Sequence, residues 1–181
     1  MSLLPYSRPG GEADSTLRGE ELGLPEVIDI PNDKREDPIF FRRKGAELGR
    51  DGCRVPIPWD TSSPTCGFSP SSAAKEPWLP IPDWFKDFSV DKEDGEPEST
   101  LNLYRKALGL RKTLQDKSEQ MEWVGPKSES VLHFKRPGGW EVVLNLSSEE
   151  AVELPKGEIL ITSGELEGGK LPINTSAWVR T

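Results

Sequence analysis

The sequence has few of the residues that usually build metal or redox centres. It holds two cysteines, Cys53 and Cys66, and one histidine, His133, among 181 residues. Their positions match no metal-ligand or redox spacing. We therefore predict free thiols, a histidine on the polar face of a strand, no metal and no cofactor, and a disulfide or a reactive thiol is the alternative for the cysteines.

The chain also lacks long apolar runs and an excess of positive charge. No stretch is long enough to form a membrane-spanning helix, and the first residues do not resemble a signal peptide, so a cytoplasmic location is expected. Acidic residues outnumber basic ones by 31 to 23, and the net charge is −8. Nucleic acids and anionic membranes attract basic surfaces, so we predict neither as a partner. Neutral ligands such as sugars stay open.

Proline and glycine, in contrast, are abundant, and they surround a pair of arginines. Arg50 and Arg54 stand four residues apart and are followed by Pro56 and Pro58, which exclude a helix or a central strand. The sequence predicts a rigid loop that presents cations. A guanidinium group donates several hydrogen bonds in a fixed plane, which suits a sugar or carboxylate site, and a structural ion pair is the alternative.

This arginine loop, residues 45–59, resembles the Gly-Arg-Asp-x-x-Arg-x-Pro-x-x-Trp segment near the end of the catalytic barrel of α-glucosidases and oligo-1,6-glucosidases in glycoside hydrolase family 13. Further matches to that family stand in the same order on both sides of the loop. They are Gly-Glu-Glu-Leu-Gly at 19–23, Asp37-Pro38, Gly67-Phe68, Pro-Trp-Leu-Pro at 77–80, and residues 101–112. The resemblance covers roughly residues 19–181.

The resemblance implies an α+β fragment in three parts. Residues 1–18 match nothing and are expected to be disordered, residues 19–118 form the end of a (β/α)8 barrel with its last loop and helix, and residues 119–181 form a small antiparallel β-sandwich. A complete barrel of this type needs about 250 residues. We therefore expect the chain to be the C-terminal fragment of an α-glucosidase, whose missing N-terminal barrel portion is its natural partner.

The resemblance also assigns the candidate site residues. It implies that Arg50 reaches the glucose at the non-reducing end of an α-glucosidic oligosaccharide and that Arg54 lies beside it, toward the next sugar. Trp59 is a candidate for stacking on a sugar ring, and packing in the core is the alternative for Trp59, Trp78 and Trp84. The catalytic carboxylates of relatives lie upstream, so we predict no catalytic residue here and no hydrolysis by this chain alone. Both α-1,4 and α-1,6 linkages stay open.

Periodicity predicts a helix at 98–116 and short strands after it. The residues at helical spacing are Leu101, Tyr104, Ala107 or Leu108, Arg111, and Leu114 or Gln115, and the apolar face would be buried against the barrel sheet. The predicted strands are 121–125, 131–135, 140–146, 151–154, 158–162 and 178–180. A second hypothesis is a non-catalytic carbohydrate-binding or interaction module. Such a module would cover the apolar face of the helix, whereas an orphaned fragment would expose it.

Overall fold

The computed structural model describes residues 19–73, 75–114, 120–125 and 130–181. The disordered head that the sequence predicts at 1–18 lies outside these residues. The helices are α1 Pro38–Arg42, α2 Val90–Asp94 and α3 Thr100–Leu114, with 3-10 turns at Glu20–Leu22, Asn32–Lys34, Asp51–Cys53 and Asp83–Phe88. The strands are β1 Glu122–Trp123, β2 Val131–Arg136, β3 Trp140–Asn145, β4 Glu158–Thr162 and β5 Thr175–Arg180.

The described residues divide into two compact units. Residues 19–102 form one, which we name the loop unit, and Leu103–Thr181 form the other, the sheet unit. The loop unit is built from short helical segments around a small apolar core of Val27, Ile30 and Phe85. Its irregular course follows from its many prolines, which cannot donate the backbone hydrogen bonds of long helices or central strands.

Trp59 and Trp78 do not pack in the core of the loop unit, so that alternative is wrong for these two, whereas the ring of Trp84 lies 4.6 Å from that of the buried Phe85. Trp59 is 53% exposed, Trp78 54% and Trp84 38%. Trp78 instead meets its hydrogen-bonding need at the surface, because its indole N–H donates to the carbonyl of Lys34 at 2.9 Å. The buried aromatic residue is Phe85, which has no polar atom to satisfy.

The sheet unit contains a five-stranded antiparallel sheet in the order β1-β2-β3-β5-β4. Every residue of the central strand β3 is buried, because both faces of the sheet are covered. One face, with Phe134, Trp140 and Val142, packs against α3. The other face, with Val143 and Val179, packs against residues between β3 and β5, including Leu171.

Helix α3 confirms the predicted helix in position, and Leu101, Ala107 and Leu114 of the expected face are buried or pack on the core. From Leu103 onward the residues that pack on the sheet are Leu103, Ala107, Leu110 and Leu114, which share one stripe at helical spacing. Leu108, assigned to the buried face as one of two choices, is 47% exposed. The antiparallel sheet of the same chain therefore covers this stripe.

The predicted strands hold with three corrections. The strand predicted at 121–125 is limited to Glu122–Trp123. At 151–154 the structure shows one isolated bridge, between Val152 and Leu171, and no strand. The last strand begins at Thr175, three residues earlier than predicted, and pairs with β3 along its whole length. The layer opposite α3 is accordingly irregular, and a second hydrogen-bonded sheet is not among the elements that the structure describes.

Candidate functional site

The arginine loop turns around a buried carboxylate, that of Asp51. This residue begins the 3-10 turn Asp51–Cys53 and is only 1% exposed. Its Oδ2 atom accepts the backbone N–H groups of Glu36 and Asp37, both at 3.0 Å. Two donors that lie fifteen and fourteen residues earlier in the chain are thereby bonded to the turn that carries the arginines.

Asp37 forms the second half of this connection. Its Oδ1 accepts the N–H of Ile39 at 3.0 Å and so caps α1, which starts at Pro38. Its Oδ2 accepts the N–H of Arg50 at 3.0 Å and the Nη1 of Arg54 at 3.2 Å. The N–H groups of Ile39 and Arg50, followed by the charge of Arg54, lower the pKa of Asp37 below its ordinary value. The carboxyl group is therefore ionised at neutral pH.

The two arginines occupy different environments. The Nη1 of Arg54 lies 3.2 Å from Asp37 and 3.7 Å from Asp51, so this residue makes the ion pair that the sequence left open. About half of the Arg54 side chain stays exposed. Arg50 is exposed, and in the described part of the chain its guanidinium group has no ion-pair or hydrogen-bond partner. The loop thus carries one paired and one unpaired cation.

The backbone of the loop is fixed from behind. The N–H of Val27 donates to the carbonyl of Gly52 at 3.2 Å, and a Cβ atom at Gly52 would lie 2.4 Å from the carbonyl oxygen of Val27. Only glycine allows this close approach. The buried Arg35 holds the neighbouring chain, because its guanidinium donates to the carbonyls of Leu48 and Ile28 at 3.2 and 2.9 Å.

Trp59 is held by its backbone and exposes its side chain. Its N–H donates to the carbonyl of Cys66 at 2.7 Å, and its own carbonyl accepts the N–H of Asp91 at 3.1 Å. Half of its surface is open to solvent. The structure thus places an exposed indole on a backbone that is fixed by hydrogen bonds.

The carboxylates with shifted pKa values in the loop unit have structural partners. Burial raises the pKa of Glu93, whose Oε2 accepts the N–H of Leu101 at 2.8 Å at the start of α3. Hydrogen bonding by Ser89 is the largest cause that lowers the pKa of Asp91. Glu93 and Asp91 are two residues apart on α2, a spacing that does not bring side chains face to face on a helix.

Within the described residues no group of three or more histidine, cysteine or acidic side chains is placed to hold a metal ion. Both cysteines are free, Cys53 at the surface and Cys66 buried, and burial raises the pKa of the Cys66 thiol. His133 lies in β2 and its Nε2 is 2.6 Å from Oε2 of Glu141. No helix in the described ranges is long and apolar enough to cross a membrane.

Asp37 and Asp51 are the residues that reading the sequence for function missed. One available signal was the Asp-Pro pair at 37–38, which is typical of a helix N-cap followed by proline at the first helical position. Asp51 stands between the two arginines, but its partners are backbone groups that no side-chain pattern reveals. Both residues organise the loop without facing solvent.

Comparison with known proteins gives consistent matches along the chain. A probable α-glucosidase of Rhizobium meliloti (strain 1021) is 36% identical over 143 residues, which cover 76% of this chain and 25% of that protein. A glucan 1,6-α-glucosidase of Streptococcus dysgalactiae subsp. equisimilis is 28% identical over 172 residues, covering 83% of this chain and 31% of that protein. The chain therefore spans about a quarter to a third of the length of these relatives.

Solved structures show the same fold. The α-glucosyl transfer enzyme XgtA superimposes with a TM-score of 0.67 at 28% identity, covering 90% of this chain and 32% of XgtA. The trehalulose synthase MutB from Pseudomonas mesoacidophila MX-45 gives a TM-score of 0.66 at 22% identity, covering 90% of this chain and 34% of MutB. The family model of the α-amylase catalytic domain matches residues 12–118, more than half of the chain and the whole arginine loop. The chain belongs to the α-amylase catalytic-domain family, glycoside hydrolase family 13.

Proposed function

We propose that this chain supplies the sugar-binding arginine loop of an enzyme that acts on terminal α-linked glucose in short oligosaccharides. In this proposal residues 19–118 are the end of a catalytic barrel, and the catalytic carboxylates belong to a barrel portion outside this sequence. Arg50 contacts the terminal glucose, Arg54 lies toward the next sugar, and Trp59 offers a ring face. The names of the relatives, which are α-glucosidases, support the substrate class.

The observation that carries the proposal is the exposed Arg50 guanidinium, unpaired within the described residues, on a backbone that Asp37 and Asp51 hold in place. An unpaired arginine on a rigid loop is suited to a ligand, because its donors need no rearrangement before they bind. A guanidinium group also stays charged at any working pH. It can therefore form charge-assisted hydrogen bonds with sugar hydroxyls throughout the pH range of an enzyme.

The carboxylates of the loop favour a binding role over a catalytic one. A retaining glycosidase needs one carboxyl group as acid and another as nucleophile, about 5 to 5.5 Å apart across the scissile bond. Asp37 and Asp51 are buried and bonded to backbone N–H groups and to Arg54. Neither can leave these partners to reach a substrate without loosening the loop.

The test is a substitution at Arg50 in the presence of a family barrel portion, supplied as a separate chain or by fusion. Arg50→Ala removes a charge-assisted hydrogen bond and should lower kcat/KM on a small α-glucoside by about thirtyfold, or roughly 2 kcal/mol. Arg50→Lys should restore activity only in part, because an ammonium group lacks the planar fork. Arg43→Ala is the matched control, since Arg43 is an exposed arginine paired with Glu47. Equal turnover for Arg50→Ala and Arg43→Ala would refute the proposed role.

Without a barrel portion we expect the chain to hydrolyse no chromogenic α-glucoside. The assay compares product release from purified protein with release in buffer. Release above the buffer rate that disappears on mutation of a carboxylate in this chain would overturn the assignment of catalysis to other residues.

A non-catalytic carbohydrate-binding or interaction module is the second candidate, and one observation favours it. The stripe of α3 that includes Ala107 and Leu110 packs against the sheet of the same unit. Such a unit can bury its helix without a barrel. This candidate predicts a monomer or one defined oligomer in size-exclusion chromatography, whereas an incomplete barrel fragment predicts concentration-dependent aggregation.

A further inference from the structure

Two arginines on one turn differ in a way that their sequence positions do not explain. Arg54 is joined through its guanidinium group to Asp37 and Asp51, whereas Arg50 is joined to Asp37 through its backbone N–H. The same atom, Asp37 Oδ2, accepts both the Arg50 N–H and the Arg54 Nη1. One carboxylate oxygen therefore holds the main chain of Arg50 and the side chain of Arg54 in place.

We propose that Asp37 is the positioning residue of the site: it retains Arg54 as a structural cation and leaves the Arg50 guanidinium as the group that meets the terminal sugar. The part that concerns the sugar rests on the proposed function. The part that concerns the two arginines stands on the contacts of the loop alone.

The position of Asp37 Oδ2 is itself determined by two other hydrogen bonds and by the start of α1. The N–H of Asp37 donates to Asp51, its Oδ1 accepts the N–H of Ile39, and Pro38 starts α1 immediately after it. The carboxylate therefore cannot turn toward solvent without uncapping α1. Its oxygen is a fixed point to which the arginine turn is attached.

Electrostatics then separates the two arginines. Asp37 and Asp51 are both buried, and Arg54 lies within 3.7 Å of each. Withdrawal of Arg54 toward a ligand would leave two buried carboxylates without this cation, which is costly. Movement of the Arg50 guanidinium breaks no hydrogen bond or ion pair in the described residues, because Arg50 is bonded to Asp37 only through its backbone N–H. Arg50 is thus free to bind, and Arg54 is retained.

The experiment measures how fast each arginine of the purified chain reacts with phenylglyoxal, a dicarbonyl reagent, with peptide mass spectrometry as the readout. We expect Arg50 to react about tenfold faster than Arg54, because Arg54 must first break a charge-assisted hydrogen bond. Asp37→Asn should raise the rate at Arg54 toward that at Arg50. Asp83→Asn is the matched control, since Asp83 is a fully exposed carboxylate in the same unit, and it should change neither rate.

Arg35 reports whether the variant is folded. It is 6% exposed and bonded to two carbonyls, so it reacts only if the loop unit opens. An increase at Arg54 with Arg35 still unreactive supports the proposal. Hydrogen exchange gives a second signature. Asparagine has one acceptor oxygen for the N–H groups of Ile39 and Arg50, so one of these two amides should exchange faster in Asp37→Asn, while the Leu101 amide, bonded to Glu93, should not. Unchanged exchange at both amides in the folded variant would overturn the proposal.

A second variant serves if Asp37→Asn does not fold. Arg54→Gln removes the ion pair but leaves the acceptor of the Arg50 N–H, so the Arg50 amide should keep its protection. Loss of that protection, or wild-type labelling that is faster at Arg54 than at Arg50, refutes the assignment.

Protection by methyl α-glucopyranoside separates this inference from the proposed function. With a family barrel portion present, the sugar should slow labelling at Arg50. If Arg50 reacts faster than Arg54, and Asp37→Asn removes the difference, but the sugar protects neither, the positioning role stands and the proposed sugar contact fails.

Discussion

Replacing Asp51 should reveal how strongly the arginine loop depends on one buried carboxylate. Asp51→Ala leaves the N–H groups of Glu36 and Asp37 without their acceptor, and it removes one of the two carboxylates near Arg54. A buried donor without a partner costs about 1–3 kcal/mol, so the two together should lower the free energy of unfolding by about 2–6 kcal/mol. This is a large part of the roughly 5–15 kcal/mol that stabilises an ordinary domain.

Asp51→Asn is the informative companion. It keeps an oxygen of the same shape for both N–H groups and loses only the charge, so it should cost about 1–2 kcal/mol. Urea titration followed by hydrogen exchange of peptides from residues 19–102 measures the loop unit separately from the sheet unit. Asp83→Ala, at an exposed site, should stay within about 0.5 kcal/mol of wild type. If Asp51→Ala were as harmless as Asp83→Ala, or Asp51→Asn as harmful as Asp51→Ala, the backbone bonds would not be what stabilises the loop.

Three further predictions concern contacts within the loop unit or within the sheet unit. Gly52→Ala should destabilise the loop unit by about 1–3 kcal/mol in the same titration, because the new Cβ would lie 2.4 Å from the carbonyl oxygen of Val27; an unchanged midpoint would contradict this. Leu144→Ala, in the core beneath α3, should cost about 2–5 kcal/mol in the sheet unit, as seen by tryptophan fluorescence in urea. For Glu141, burial opposes the shift, but hydrogen bonding by His133 leads the interactions that lower the pKa. Its stabilising contribution is therefore complete above the ordinary glutamate pKa and is lost as the pH falls through the lowered one, and Glu141→Gln should remove that acid dependence of unfolding.

The hairpin of β2 and β3 shows where the sequence was sufficient to predict the structure. In residues 131–145 apolar side chains recur at every second position on both sides of Pro-Gly-Gly, at 132 and 134 and at 140, 142 and 144, and period two predicts strands whose alternate residues share a face. The register pairs Phe134 with Val142, and both lie in the core on the α3 side. Local pattern and tertiary environment agree here, so the prediction needed no information from elsewhere in the chain.

Helix α3 shows why the buried face of a helix could be predicted only in part. It carries leucines on two stripes, Leu101 with Leu108 and Leu103 with Leu110. Helical spacing permits either stripe to be buried, and the choice depends on the surface that packs against the helix. In the structure the sheet covers Leu103 and Leu110, whereas on the other stripe Leu101 is buried and Leu108 is exposed.

The arginine loop shows which part of the site could not be predicted from the sequence. Arg50, Arg54 and Trp59 could be proposed from side-chain chemistry and from the resemblance, because their residue types are informative in themselves. The roles of Asp37 and Asp51 depend on backbone N–H groups thirteen to fifteen residues away. Every residue except proline offers such a donor, so nothing in the side-chain sequence distinguishes the ones that are used.

The bond between the Arg50 N–H and Asp37 has a consequence for how this segment can change in length. The bond closes residues 38–49 into a loop whose two ends meet at the carboxylate of Asp37. The tip of this loop, at Lys44 and Gly45, is exposed and has positive φ angles. Insertions there leave the closing bond in place, and each doubling of a flexible loop costs only about 0.6 kcal/mol. The tip is consequently a place where a tag or a reporter peptide can be added while the position of Arg50 is preserved.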